Sequence, residues 1–114
     1  MNKVILSGNL TREPELRQTV SGKSRLAVGI AVKRNNKDAD FFNLVAWDKT
    51  AEFIAKYFGK GSKIFIEGRL QTNNYDDKNG IRHYGVDVIV ENVEFAGNKK
   101  DDFGTPVADE DVYQ

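Results

Sequence analysis

Residues 40–61 read Asp-Phe-Phe-Asn-Leu-Val-Ala-Trp-Asp-Lys-Thr-Ala-Glu-Phe-Ile-Ala-Lys-Tyr-Phe-Gly-Lys-Gly, and within them one periodicity gives way to another. From Phe41 to Trp47 the run is apolar almost throughout, the reading of a strand. From Ala51 the apolar residues Ala51, Ile54, Ala55 and Phe58 recur at i, i+3, i+4 and i+7, the stripe of an amphipathic helix. Asp48 is the expected N-cap, and Gly59 or Gly61 the expected end.

On both sides of this helix the pattern is period-2 alternation, which sends successive side chains to opposite faces of a strand. Upstream, Val4, Leu6 and Leu10 share a parity around Gly8, and Leu26, Val28, Ile30 and Val32 alternate with Ala27, Gly29, Ala31 and Lys33. Downstream, Ile64, Ile66 and Leu70 alternate with Phe65, Glu67 and Arg69, and Tyr84, Val86, Val88 and Val90 with Gly85, Asp87 and Ile89. Turn signals separate the runs: Pro14, Ser21-Gly22, Asn35-Asn36 and Asp76-Asp77-Lys78-Asn79-Gly80, with Asn79-Gly80 the strongest hairpin signal. The order strand, strand, strand, helix, strand, strand predicts an all-β chain with one short helix. It is the order of the OB-fold, a five-stranded Greek-key barrel that binds oligonucleotides and oligosaccharides. Gly8, Gly29 and Gly68 inside strand patterns either bend the strands of a small barrel or are incidental. After Phe95 the hydrophobic pattern stops. The expected division is a barrel over 1–97 and a short acidic tail over 98–114.

The 114 residues suit one domain. There is no cysteine, which excludes disulfide frameworks and thiolate metal sites. No apolar stretch approaches the roughly 20 residues that cross a bilayer. The start lacks the apolar core of a signal peptide, so cytoplasm is the expected location and no membrane the expected partner. The formal net charge of zero conceals a segregation. Residues 1–96 carry 15 basic and 12 acidic side chains, net +3, whereas residues 97–114 carry 2 and 5, net −3. A mildly basic body suggests a polyanion partner, and the acidic end a separate role.

On the third strand, Phe42, Leu44 and Ala46 share the face suited to the barrel interior. Phe41, Asn43, Val45 and Trp47 share the other, where two large aromatics flank an asparagine. Trp47 either offers its face to a ligand or plugs a barrel end. Tyr75 lies in the polar stretch Thr72–Asp77 and either sits on a mobile arm or is an ordinary surface tyrosine. Phe65, on the side of Glu67 and Arg69, either lies in the groove or packs against a subunit or the helix. Phe53 and Tyr57, four apart on the helix, are expected to pack. Arg12, Arg17, Arg34, Lys49, Lys60 and Arg69 adjoin the expected groove and are phosphate candidates or plain solvated charges.

The chain resembles the bacterial and phage family of single-stranded DNA-binding proteins. The resemblance is carried in order by Asn2-Lys3-Val4-Ile5-Leu6-Ser7-Gly8-Asn9-Leu10, Pro14-Glu15-Leu16-Arg17, Asp40–Trp47, Lys60-Gly61-Ser62, Ile66-Glu67-Gly68-Arg69-Leu70-Gln71-Thr72 and Tyr75, over residues 2 to about 95. It implies that Phe41, Trp47 and Tyr75 stack bases and that the protein is a homotetramer with grooves joined into one track. Two departures stand out. The family's loop between the second and third strands is longer and often bears an aromatic, whereas Lys33–Asp40 has none. The family's acidic tip closes with Pro-Phe and captures partner proteins, whereas this chain ends Asp109-Glu110-Asp111-Val112-Tyr113-Gln114. That abbreviated tail suits a phage or mobile-element copy.

No enzymatic site, cofactor or metal is expected. His83, the single histidine, has no positioned acid–base partner in the sequence. Asp76-Asp77 and Asp101-Asp102 do not match a spaced calcium loop, and no glycine-rich phosphate loop is present. The expected function is sequence-tolerant binding and protection of single-stranded DNA during replication, recombination and repair. The alternatives are an RNA-binding OB-fold protein and an adaptor that binds replication proteins through the same fold. The tail residues Asp109, Glu110, Asp111, Val112 and Tyr113 are expected either to hook replication or recombination proteins and compete weakly with DNA, or simply to solubilise.

Overall fold

A computed structural model describes residues 1–95. Its elements are β1 (Val4–Leu10), β2 (Leu16–Gln18), β3 (Ser24–Lys33), β4 (Ala39–Trp47), α1 (Asp48–Tyr57), β5 (Lys63–Thr72), β6 (Tyr75–Asp76), β7 (Arg82–His83) and β8 (Val86–Phe95). Strands β1, β5, β8, β4 and β3 pair in that order. β3 then returns to β1 through Asn9↔Ala31 and Leu10↔Ile30, which closes a five-stranded barrel. The β4–β8 pairing is parallel and the other barrel pairings are antiparallel. This is the OB-fold barrel that the alternating runs predict.

Alternation also decides what fills it. Leu10, Leu26, Val28, Ile30, Leu44, Ala46, Ile64, Ile66, Val88 and Val90 point inward and are buried. The helix adds Ala51 and Ile54, and Phe58 follows at its end, fully buried. Each large side chain among them contributes about 1.5–3 kcal/mol on burial. Phe58 stacks on Phe95 with ring centroids 5.1 Å apart, and Phe53 joins Phe95 at 5.6 Å and Tyr57 at 5.0 Å. Phe53 and Tyr57 therefore pack the helix onto the end of β8.

The helix begins differently from the expectation that Asp48 caps it. The N-cap position is Trp47, in extended conformation and without a side-chain cap hydrogen bond, and Asp48 is the first helical residue. The strand runs straight into the helix, so the change of direction falls on Asp48, at φ +53°. Aspartate tolerates this left-handed region better than most residues, and an acidic residue in the first turn suits the positive end of the helix dipole. The glycines serve the next turn instead of ending the helix. The Gly59 N–H donates to Ser62 Oγ at 2.8 Å, and Gly61 takes φ +83°.

Two further departures concern strands, and the hairpin expected at Asn79-Gly80 is present. A three-residue β2 flanks β3, outside the barrel, pairing Leu16↔Leu26, Arg17↔Arg25 and Gln18↔Ser24. The last strand begins at Val86 and not at Tyr84; Val86 pairs with Thr72 at the rim, and both Tyr84 and Val86 are exposed. Beyond Thr72 and before Val86 the ladder gives way to a separate two-stranded arm, Tyr75↔His83 and Asp76↔Arg82. Its turn is built on Asp77. That carboxylate accepts from the Asn79 and Ile81 N–H groups at 2.8 and 2.9 Å, and Gly80 supplies the left-handed residue.

Candidate nucleic-acid interface

The register of β2, β3, β4, β8 and β5 lays out the outer face in rows. One row runs Arg17–Arg25–Trp47, the next Ala27–Val45–Ile89–Arg69, the third Gly29–Asn43–Asp87–Gln71, and a fourth pairs Ala31 with Phe41. Trp47 and Phe41 thus stand at the two ends of β4, six residues or roughly 20 Å apart. Ala27, Gly29 and Ala31 on β3 lie beside the strand between them. Phe41 is 70 % exposed and Trp47 38 %. Small side chains beside two exposed rings make an open strip on which flat groups can lie. Val45 has the same parity as the rings yet is buried, because it sits mid-sheet beside Ile89 and Ala27.

The arm is tied to this strip. Asp87 accepts from Asn43 Nδ2 at 2.9 Å and, through its other oxygen, from Asn73 Nδ2 at 3.2 Å. Asn73 is the residue from which the arm departs, and its N–H donates to Gly85 O at 2.8 Å. On the arm, Tyr75 is exposed and lies against His83 with centroids 4.9 Å apart and planes 14° from parallel. One face of the tyrosine is therefore already taken. His83 Nε2 lies 2.8 Å from Asp77 Oδ2. That contact, followed by the Ile81 N–H, holds the Asp77 carboxyl below the usual carboxylate range.

The cations sort unequally. Arg12 is exposed beside the strip and donates to Ala27 O at 3.2 Å. Arg17 pairs with Glu15 at 3.0 Å. Arg34 pairs with Asp40, whose carboxyl it lowers chiefly through their hydrogen bond. Arg69 closes the second row and lies 3.7 Å from Glu91. Lys49 on α1 is exposed. So is Lys60, whose backbone N–H donates to Glu13 at 3.0 Å.

Phe65 is on the outer face, as its parity predicts, but away from the rings. It neighbours Ile5 and, with Glu67, Asn92 and Glu94, lines a cavity of about 360 Å3. Ile5 and Phe65 are both exposed. Phe41 and Trp47 share one strip, Tyr75 stands on the arm joined to it, and Phe65 is on another side of the barrel. Arg25 and Asp87 also stand in these rows, and reading the sequence alone did not single them out; Asn43 it placed on the face of the rings without a role. Folding the β3–β4 hairpin about Asn36 would have put residue 25 opposite residue 47, and the Asn35-Asn36 turn signal was there to read. Nothing in the sequence signals the Asn43–Asp87–Asn73 bridge, which depends on a parallel pairing across more than 40 residues.

Among the described residues no group of three or more His, Asp or Glu side chains is gathered to hold a metal, and no helix is long and apolar enough to cross a membrane. The tail residues Asp109, Glu110, Asp111, Val112 and Tyr113 lie outside the described residues.

The model of the single-strand binding protein family matches residues 1–96, the whole of the barrel and arm. The chain belongs to the single-strand binding protein family. As a family member it is 39% identical over 120 residues to Single-stranded DNA-binding protein 1 of Staphylococcus aureus strain MSSA476, an overlap of 100% of this chain and 74% of the relative. It is 44% identical over 101 residues to a single-stranded DNA-binding protein of Bacillus cereus, covering 83% of this chain and 59% of that one. To Single-stranded DNA-binding protein 2 of Listeria monocytogenes it is 41% identical over 101 residues, covering 83% and 63%. This member of the family thus spans between three-fifths and three-quarters of the length of these relatives. The family and the relatives are named for binding, not for a reaction.

Proposed function

We propose that this chain binds single-stranded DNA with little regard to base sequence, protecting exposed strands in replication, recombination and repair. The observation that carries the reading is the strip on β3–β4, with Phe41 and Trp47 exposed at its ends and Ala27, Gly29 and Ala31 beside it. Bases stack on such rings for about 1–3 kcal/mol each, whatever their identity. Tyr75, on the arm tethered through Asp87, offers its remaining face to a further base. Arg12, Arg17, Lys49, Lys60 and Arg69 supply positive charge along the backbone path. Arg34, which Asp40 engages through two nitrogens, contributes less than Arg17 and Arg69, each of which meets a carboxylate through one. The relatives' names add support.

The test is a titration of Trp47 fluorescence with oligo-dT of increasing length at two salt concentrations. Quenching that saturates, and weakens as salt rises, is expected. No quenching would favour the adaptor reading, and clearly tighter binding to oligo-U than to oligo-dT would favour the RNA reading.

The working form is a homotetramer in which several strips join into one track, raising avidity without a new kind of contact. The exposed pair Ile5 and Phe65, on neighbouring strands β1 and β5, supports a subunit contact on that side. Light scattering should give four times the chain mass of 12.8 kDa, and a monomer would refute it. For the tail, deleting residues 101–114 is expected to leave oligo-dT affinity unchanged or slightly raised, and to weaken capture of replication or recombination proteins.

A further inference from the structure

The row Arg17–Arg25–Trp47 holds more than a base-stacking ring. Arg25 is the cross-strand partner of Trp47 on β4 and of Arg17 on β2, so its side chain stands between them on the outer face. Its guanidinium carbon lies over the Trp47 ring, 5.6 Å from the centroid. Contact with a π-face uses the ion's charge and leaves its five N–H donors for another partner.

Those donors open onto a cleft of about 440 Å3 lined by Arg12, Glu13, Glu15, Arg17, Arg25 and Ala27. The other groups in the cleft are partly engaged, Arg17 through a single terminal nitrogen that leaves its other N–H groups available. Glu15 pairs with Arg17, Glu13 receives the Lys60 N–H, and Arg12 donates to Ala27 O. Among the described residues Arg25 has no ion pair; the tryptophan ring is the contact it makes. Like charges directly opposed on adjacent strands repel, and Arg17 opposite Arg25 is such a pair. An anion between them turns that repulsion into a bidentate grip, for which the planar guanidinium fork is suited. A second cleft of about 370 Å3, lined by Thr19, Ser21, Lys23, Trp47 and Asp48, gives a base room beside the ring.

We infer that Arg25 is a phosphate-binding residue of the Trp47 subsite: it covers part of the indole and holds, together with Arg17, the DNA phosphate next to the base stacked there. The inference rests on the single-stranded DNA reading and adds to it a strand path that turns off β4 towards β2.

The experiment measures oligo-dT affinity by Trp47 quenching across a salt series for the full chain and for Arg25→Ala, Arg25→Gln, Arg25→Lys and Lys56→Ala, each checked for folding by its unfolding midpoint. One lost phosphate contact makes the slope of log K against log salt shallower by about 0.7, and lowers affinity about fivefold at roughly 0.1 M salt. Arg25→Ala and Arg25→Gln should both show this. Arg25→Lys should keep the slope but alter Trp47 emission, because an ammonium replaces the guanidinium over the ring. Lys56→Ala, on the helix, should leave the slope as it is. An unchanged slope in Arg25→Gln or Arg25→Ala overturns the inference, as does an equal change in Lys56→Ala, which would mean that the slope follows overall charge. Failure of the unmutated chain to bind oligo-dT would sink the DNA reading itself, a different and separable outcome.

Discussion

Gly68 shows how much a single missing side chain decides. A Cβ there would collide with the carbonyl oxygen of Ile89, and one on Gly8 with the carbonyl oxygen of Ala31. At Gly68 the β5–β8 register also shifts, from Glu67↔Asn92 to Gly68↔Val90, so the backbone bulges where it must curve. Gly68→Ala should therefore destabilise the barrel by about 1–3 kcal/mol, read from the urea midpoint, because the obstacle is backbone that cannot swing aside. Trp47→Ala should lower that midpoint modestly, since the ring is partly covered, and weaken oligo-dT binding by about 1–3 kcal/mol, the worth of one stacked base. Both expectations trace to features visible in the sequence: a glycine inside an alternating run, and two aromatics of like parity. Less visible was Val45, which shares that parity yet is buried. Parity gives a side chain's face but not what lies beside it, and the Ile89 next to Val45 comes from a strand more than 40 residues away.

At the scale of elements, the four alternating runs were legible because each buries one face, so the pattern has to survive in the sequence, and the fifth strand was legible from its apolar run. The arm was foreseen as a hairpin from its Asn79-Gly80 turn, but β2 and the exact bounds of β6 and β7 were not, since these strands are two or three residues long with every side chain exposed. Nothing hydrophobic constrains them, so no periodicity records them. The arm is held instead by Asp77, which accepts two turn N–H groups and contacts His83. Asp77→Ala should loosen the arm by about 1 kcal/mol per lost hydrogen bond. Amide exchange between residues 75 and 83 should quicken while the barrel keeps its unfolding temperature, and oligo-dT affinity should fall several-fold. Unchanged exchange in the arm would contradict this.

At the scale of the molecule, three carboxyls among the described residues lie below their usual values: Glu67 through its hydrogen bond from Lys3, Asp40 through Arg34, and Asp77 through His83. The folded state binds fewer protons at these groups than the unfolded chain. Their stabilisation is thus complete above the unfolded values, near pH 4, and is lost as pH falls through the lower folded ones. The unfolding midpoint should drop below about pH 4, and Glu67→Gln should remove part of that dependence. All three groups are exposed, so the effect should be modest and should shrink in high salt.

The parallel seam between β4 and β8, Asn43↔Asp87 through Val45↔Ile89, also has a consequence in time. During synthesis β4 and β3 leave the ribosome as a hairpin, but β4 keeps a bare edge until the residues around Val88 emerge. For that interval the strand bearing Phe41 and Trp47 has unsatisfied backbone groups and unsupported rings, the condition in which nascent chains stick to one another. A chain cut short before residue 86 would present the aromatics without the strand that steadies them. The last long strand to be made is the one that makes the first half of the barrel safe.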